Sequence, residues 1–196
     1  MKVKGSQVGW GFWLQWVVAS TVGMLLGFIV GFPLSFLVMD IVGERLGQSF
    51  GGIVIGIGVG VLQWLVLRRR ISGVGWWVLA SAAGGYGIVQ AMFLGAFEGY
   101  VGSLSFGALL SFTGVVALGG AVAGTLQWLV LRGQVSRAGW WVLASTVGWG
   151  LGMAVSRAFP WGRDDALLAL AVTGVVLGAI TGGALVWLLR QPVPEA

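Results

Sequence analysis

The segment 62–68, LQWLVLR, returns letter for letter at 126–132, and an altered copy, LVWLLR, occupies 185–190. An internal repeat of this kind is typical of a fold assembled from copies of one supersecondary unit. Since the copies are spread over the chain, the repeat predicts the architecture more firmly than any single residue does.

A second phrase marks the same units. VVAS at 17–20 returns as VLAS at 78–81 and at 142–145. Each unit contains two long apolar segments and cannot bury its packing face alone, so we expect a single domain over 1–196. The repeat units are approximately 10–70, 71–135 and 136–190.

Composition predicts that this domain lies in a membrane. The chain is 58% hydrophobic and only 9% charged, whereas soluble domains carry about 25% charged residues. Apolar runs close to the roughly 20 residues that cross a bilayer as a helix lie at about 11–38, 51–67, 76–97, 107–131, 140–157 and 166–189. We therefore predict an all-α polytopic membrane protein, with six transmembrane helices forming three tandem helical hairpins in pseudo-threefold arrangement.

Charge predicts the orientation. Loops on one side of the predicted spans carry eight basic residues against Glu195, and loops on the other side carry three basic and five acidic residues. An excess of Lys and Arg marks the cytoplasmic side, so both termini are expected there. The eight basic residues are Lys2, Lys4, Arg68, Arg69, Arg70, Arg132, Arg137 and Arg190. Because topology explains the net charge of +5, we expect no nucleic-acid partner.

The chain is rich in tryptophan, with 12 residues. Most fall near the predicted cytoplasmic interface, which favours an aromatic belt at the level of the lipid head groups. The alternative is a set of stacking platforms for a flat ligand such as a pigment, a quinone or a sterol-like lipid. The predicted belt residues are Trp10, Trp13, Trp16, Trp64, Trp76, Trp77, Trp128, Trp140, Trp141 and Trp187.

Small residues recur four apart in the predicted spans, as in the GxxxG pattern. Residues at this spacing share one helix face, and a flat stripe of glycine lets two backbones approach closely in lipid. We expect these stripes to be the main packing device, with the lining of a pore as the alternative. The predicted packing residues are Gly23, Gly27, Gly56, Gly60, Gly84, Gly120, Gly124, Gly148, Gly152, Gly174, Gly178 and Gly182.

Polar side chains inside the spans are the candidate functional residues. Three equivalent serines and two equivalent glutamines are expected to form one polar layer near the cytoplasmic face, and the third unit has Val186 in place of the glutamine. The structural alternative is that serine bonds its own helix and glutamine bonds a neighbouring one. The candidate ligand contacts are Ser20, Ser81, Ser145, Gln63, Gln127, Gln90 and Trp149.

Catalytic chemistry is not indicated. The chain has no Cys and no His, and it contains no phosphate loop, zinc-protease motif or nucleophile elbow. We expect a non-enzymatic protein without a metal or cofactor, although a lipid or pigment is a candidate ligand.

The phrases at 63–70, QWLVLRRR, and 139–145, GWWVLAS, resemble those of small bacterial membrane proteins found in cyanobacteria and filamentous phototrophs. The resemblance covers nearly the whole chain and implies the bacterial inner membrane, but it implies no activity.

We expect an accessory or scaffold subunit, or a protein that binds a lipid or other hydrophobic ligand, partnered by lipids, other subunits or itself. The alternative is a small-molecule or ion transporter or channel through the bundle.

Overall fold

The computed structural model describes residues 8–97, 106–157 and 165–191. They form six α-helices, and the described residues contain no strand, which confirms the all-α prediction. The helices are α1 (Trp10–Val42), α2 (Glu44–Leu67), α3 (Trp77–Phe97), α4 (Phe106–Leu131), α5 (Trp140–Ser156) and α6 (Ala166–Leu189), with a short 3₁₀ turn, Val74–Trp76, before α3.

The first connection differs from the prediction. The predicted spans at about 11–38 and 51–67 leave a connection over about 39–50, but α1 continues to Val42 and α2 begins at Glu44. Gly43 alone joins them, with φ +90° and ψ 164°, a conformation that is open mainly to glycine. Polar residues in this segment end the apolar run without ending the helix, because a helix can continue beyond the hydrocarbon.

Among the described residues, four helices are long and apolar enough to cross a membrane: α1, α2, residues Leu110–Leu131 of α4, and α6. Helix α5 has 17 residues, which corresponds to about 25 Å at 1.5 Å per residue. The hydrocarbon core of a bilayer is about 30 Å thick, so α5 is at the short end of the range for a span.

The six helices form a closed ring. Each helix packs on its neighbours in sequence, and α6 packs on α1. In the described part of the chain, no two helices on opposite sides of the ring bring Cα atoms within 8 Å. Neighbouring helices run antiparallel: along α1 and α2, for example, Gly23 lies against Val59 and Gly27 against Ile55.

Glycine stripes lie at all six interfaces of this ring. A Cβ atom placed on any of the twelve predicted packing glycines would lie 3.2 Å or less from an atom of the adjacent helix. Many of these neighbours are backbone atoms, such as Thr21 Cα beside Gly174 and Val17 Cα beside Gly178. Backbones this close gain dispersion contacts that larger side chains would prevent, which is how helices associate in lipid.

Candidate functional site

Three tryptophans meet on the axis of the ring at one end, which we call the Trp end. Trp16, Trp77 and Trp141 each precede a Val-x-Ala-Ser phrase, and all three are buried. Their rings contact one another edge to face, with centroids 5.9, 5.9 and 5.3 Å apart. This Trp triad closes the bundle at this end, in a geometry that aromatic rings prefer.

The belt prediction is therefore wrong for the three residues of the Trp triad. In the Trp-Trp pair at 76–77, Trp76 is 70% exposed and Trp77 is 0% exposed. Successive helical residues point about 100° apart, so one ring of such a pair faces outward and the other faces the axis. The sequence spacing distinguishes the two rings, because the inward tryptophan is in each case the one four residues before the serine.

Below the triad, a chain of hydrogen bonds joins three helices. Trp77 Nε1 donates to Gln63 Oε1 at 3.1 Å, and Gln63 Nε2 donates to Ser20 Oγ at 2.9 Å. Ser20 Oγ in turn donates to the Trp16 carbonyl oxygen at 2.9 Å. Both the oxygen and the nitrogen of the buried Gln63 amide are therefore hydrogen-bonded, and these bonds fix the relative heights of α1, α2 and α3.

The next copy repeats this geometry. Trp141 Nε1 donates to Gln127 Oε1 at 3.0 Å, and Gln127 Nε2 donates to Ser81 Oγ at 3.0 Å. The residue types, the order of donors and the distances match those of the first copy. The same arrangement therefore links α3, α4 and α5.

The third set of hydrogen bonds is different, because the side chain of Val186 cannot accept a hydrogen bond. Trp16 Nε1 instead donates to Thr181 Oγ1 at 3.0 Å, and Thr181 donates to the Leu177 carbonyl oxygen. Ser145 Oγ, which has no glutamine donor here, donates to the Gly120 carbonyl oxygen at 2.9 Å. Sequence analysis missed Thr181, since it occupies no position equivalent to the glutamines.

The five predicted serines and glutamines, with Thr181, thus form one polar layer. A cavity of about 40 Å³ lies beside it and touches Gln63, Ser81, Gln127 and Ser145, which is room for about one water molecule. Trp149 also lines this cavity and packs with Leu177 and Met24 in the layer below. Among the described residues, Thr113 Oγ1 is the one buried side-chain nitrogen or oxygen atom without a partner.

Gln90 lies elsewhere, at the opposite end of the ring. Arg45 Nε and Nη2 donate to Gln90 Oε1 at 3.4 and 3.3 Å, and Gln90 Nε2 donates to Ser49 Oγ at 2.6 Å. These bonds join α2 to α3. The structure therefore separates Gln90 from the other candidate ligand contacts.

A larger cavity, of about 610 Å³, lies at this opposite end, between α1, α2, α3, α4 and α5. We call it the Phe-end cavity. Phe28, Phe32 and Phe36 form a ladder along its α1 wall, with ring centroids 5.0 and 4.9 Å apart. Met92, Phe112 and Met153 add further apolar wall, and the polar lining residues are Ser35, Gln48 and Arg157.

Sequence analysis missed this cavity. The phenylalanines recur every four residues on one helix, which is the spacing of a single face. Arg157, four residues after Met153, is the residue that directly follows α5.

Comparisons of the chain with protein-family models, with curated proteins and with solved structures found no match.

Replacing Gln127 with Leu is expected to lower the free energy of unfolding by about 1–3 kcal/mol, because the Trp141 indole N–H is then buried without an acceptor. The measurement is an SDS titration in dodecyl maltoside micelles, followed by circular dichroism. The matched control is Gln15→Leu, since Gln15 is exposed on α1, and it should change stability by less than about 0.5 kcal/mol. Equal effects of the two variants would contradict a stabilising role for the polar layer.

Proposed function

We propose that this chain is a non-enzymatic integral membrane protein that binds a lipid or another hydrophobic molecule in the Phe-end cavity. The geometry of this cavity is the observation that carries the proposal. Its volume of about 610 Å³ falls within the roughly 300–1,000 Å³ of small-molecule sites, which are mostly apolar with a few polar groups. The other end of the ring is filled by the Trp triad.

The proposal includes six membrane spans, with α3 and α5 crossing beside the four longer apolar helices. The closed ring supports this, because α3 and α5 each share two glycine-packed interfaces with long apolar helices. It also includes three helical-hairpin repeats with pseudo-threefold symmetry. The two matching Trp-Gln-Ser connections support that arrangement, as do the positive φ angles of the equivalent turn residues Gly73 (75°) and Arg137 (58°).

We further propose a location in the bacterial inner membrane, with the Trp end at the cytoplasmic side. The Arg-rich turns at 68–70 and 132–137 adjoin the Trp end, in agreement with the positive-inside rule. In this orientation the Phe-end cavity lies toward the outer leaflet. Many large apolar side chains, including Leu118 and Leu37, are exposed on the ring, and lipids, other membrane subunits or a second copy of this chain would cover them.

A transport pathway through the bundle is the alternative proposal. The polar layer is the observation that favours it, since Gln63, Gln127 and the serines surround the axis. Conduction would require the Trp triad and its hydrogen bonds to open. Measurable solute flux into vesicles that contain the purified protein would support this alternative over a binding protein.

Native mass spectrometry of the gently extracted protein tests the proposed function. We expect one hydrophobic molecule of defined mass to remain bound. Met92→Trp, which adds bulk to the cavity wall, should remove it, whereas Leu79→Trp on the exposed face of the same helix should not. A wild-type protein that carries no such molecule, or a bound molecule that Met92→Trp leaves in place, would refute the proposal.

A further inference from the structure

The Phe-end cavity has a single cation on its described lining. Arg157 follows α5 directly, and its Cζ atom lies 5.1 Å from the centre of the Phe112 ring. Contact with an aromatic face holds a guanidinium flat and leaves its edge free to donate hydrogen bonds. Within the described residues, Arg157 makes no ion pair with a carboxylate.

Apolar lining extends from this charge toward the middle of the ring. Met153 is one helical turn below Arg157, and Phe28 lies two turns below Phe36 along α1. Phe32 and Phe36 are each 50% exposed although they line the cavity, so they present apolar surface to whatever enters. The cavity therefore combines one cationic side chain with an aromatic and thioether lining.

We propose, building on the proposed function, that the ligand of this cavity is an amphiphile with an anionic head group and an apolar tail. The head group would accept hydrogen bonds from the Arg157 guanidinium, which suits the two oxygens of a carboxylate or a phosphate. Gln48, on the α2 wall, also carries N–H donors, but its amide nitrogen already donates to Glu44 Oε1 at 3.1 Å. The tail would lie along the Phe ladder toward Met153.

This arrangement follows the way an amphiphile sits in a bilayer. Charge is tolerated at the interface and is costly in the hydrocarbon, so a head group at Arg157 stays near water while its tail remains in an apolar medium. Because Arg157 lies beside low-dielectric walls, its attraction for an anion is stronger than that of a fully solvated arginine. A cationic head group would be repelled at the same place.

The test uses probes with the same twelve-carbon tail and different head groups. Dodecyl phosphate and dodecanoate are the anionic probes, dodecyltrimethylammonium is the cationic probe, and octaethylene glycol dodecyl ether is the neutral probe. Each is titrated into the full-length protein in neutral detergent, and bound copies are counted by native mass spectrometry. We expect at least one anionic probe to bind about 10–100-fold more tightly than the cationic probe, as charge-assisted hydrogen bonds imply; a preference for only one of the two anions identifies the head-group chemistry.

Arg157→Gln should remove this anion preference, and Arg157→Lys should retain part of it because the charge remains. The matched control is Arg45→Gln, which removes a cation from the same end of the ring but outside the cavity lining. The control should keep the full preference. A preference that Arg157→Gln leaves unchanged, or that Arg45→Gln removes equally, would overturn the inference.

The probes also separate this inference from the proposed function. If the neutral probe binds as tightly as the anionic ones, and Met92→Trp blocks all of them, the cavity is a binding site but the anionic head group is wrong. If no probe binds, or if Met92→Trp blocks none, both the inference and the proposed function are refuted.

Discussion

Trp77→Ala is expected to lower the free energy of unfolding by about 3–5 kcal/mol, the usual cost of removing a buried aromatic ring. Trp77 contacts Trp16 and Trp141, at 5.9 and 5.3 Å between ring centroids. Truncation would leave a void on the axis and would remove the donor from Gln63 Oε1. Neighbouring side chains cannot fill this space easily, because Leu67 and Leu131, which belong to the same cluster, are already fully buried.

Trp76→Ala is the matched control, because it makes the same chemical change one residue earlier at a side chain that is 70% exposed. Its effect should stay within about 0.5 kcal/mol. Trp77→Phe is an intermediate change: it keeps an aromatic ring but loses the indole N–H and the volume of the fused five-membered ring. Its cost should therefore stay below that of Trp77→Ala, at about 1–3 kcal/mol. Similar losses from Trp76→Ala and Trp77→Ala in an SDS titration would mean that the ring of Trp77 does not close the bundle.

The tryptophans show what the sequence can and cannot predict. Long apolar runs predicted all six helices, because in a bilayer every backbone polar group needs a partner within its own helix. The direction of each side chain depends on helix rotation, which the neighbouring helices set. Interfacial preference is a property of indole in general, so it could not distinguish Trp76 from Trp77.

The repeat predicted which serines and glutamines form the polar layer, but it did not predict which of their atoms hydrogen-bond to one another. Equivalent positions in three copies must lie at equivalent heights, so the serines and glutamines were expected together. Which atoms bond depends on distances of a few tenths of an ångström between helices. Thr181 has no counterpart in the other units, and it became the acceptor for Trp16 because Val186 left that donor without one.

The Phe-end cavity lies beyond what repetition could predict. Its walls come from five helices, and the residues that line it differ from unit to unit. The Phe ladder is confined to α1, and Arg157 directly follows α5. A feature that breaks the symmetry of the ring gives no periodic signal, and only the three-dimensional arrangement brings these residues to one place.

Gly56→Ala is expected to cost about 1–3 kcal/mol of unfolding free energy, the range for overpacked interiors. A Cβ atom at this position would collide with the Ser81 carbonyl oxygen and would lie 2.9 Å from Ala82 Cα. Both are backbone atoms, so no rotamer change can relieve the contact, and α2 must move away from α3. The serine that accepts a hydrogen bond from Gln127 lies at this contact, so the displacement should also disturb the polar layer.

Gly114→Ala supplies the comparison, because a Cβ atom there would meet nothing within 4 Å. Both glycines are inside helices, so both variants gain the same improvement in helix propensity, about 0.5–1 kcal/mol. The control should therefore be neutral or slightly stabilising, and the difference between the variants measures the cost of separating two backbones. If Gly56→Ala proves as harmless as Gly114→Ala in the SDS titration, close backbone contact cannot be what holds the ring together, because glycine contacts of this kind occur at each of its six interfaces.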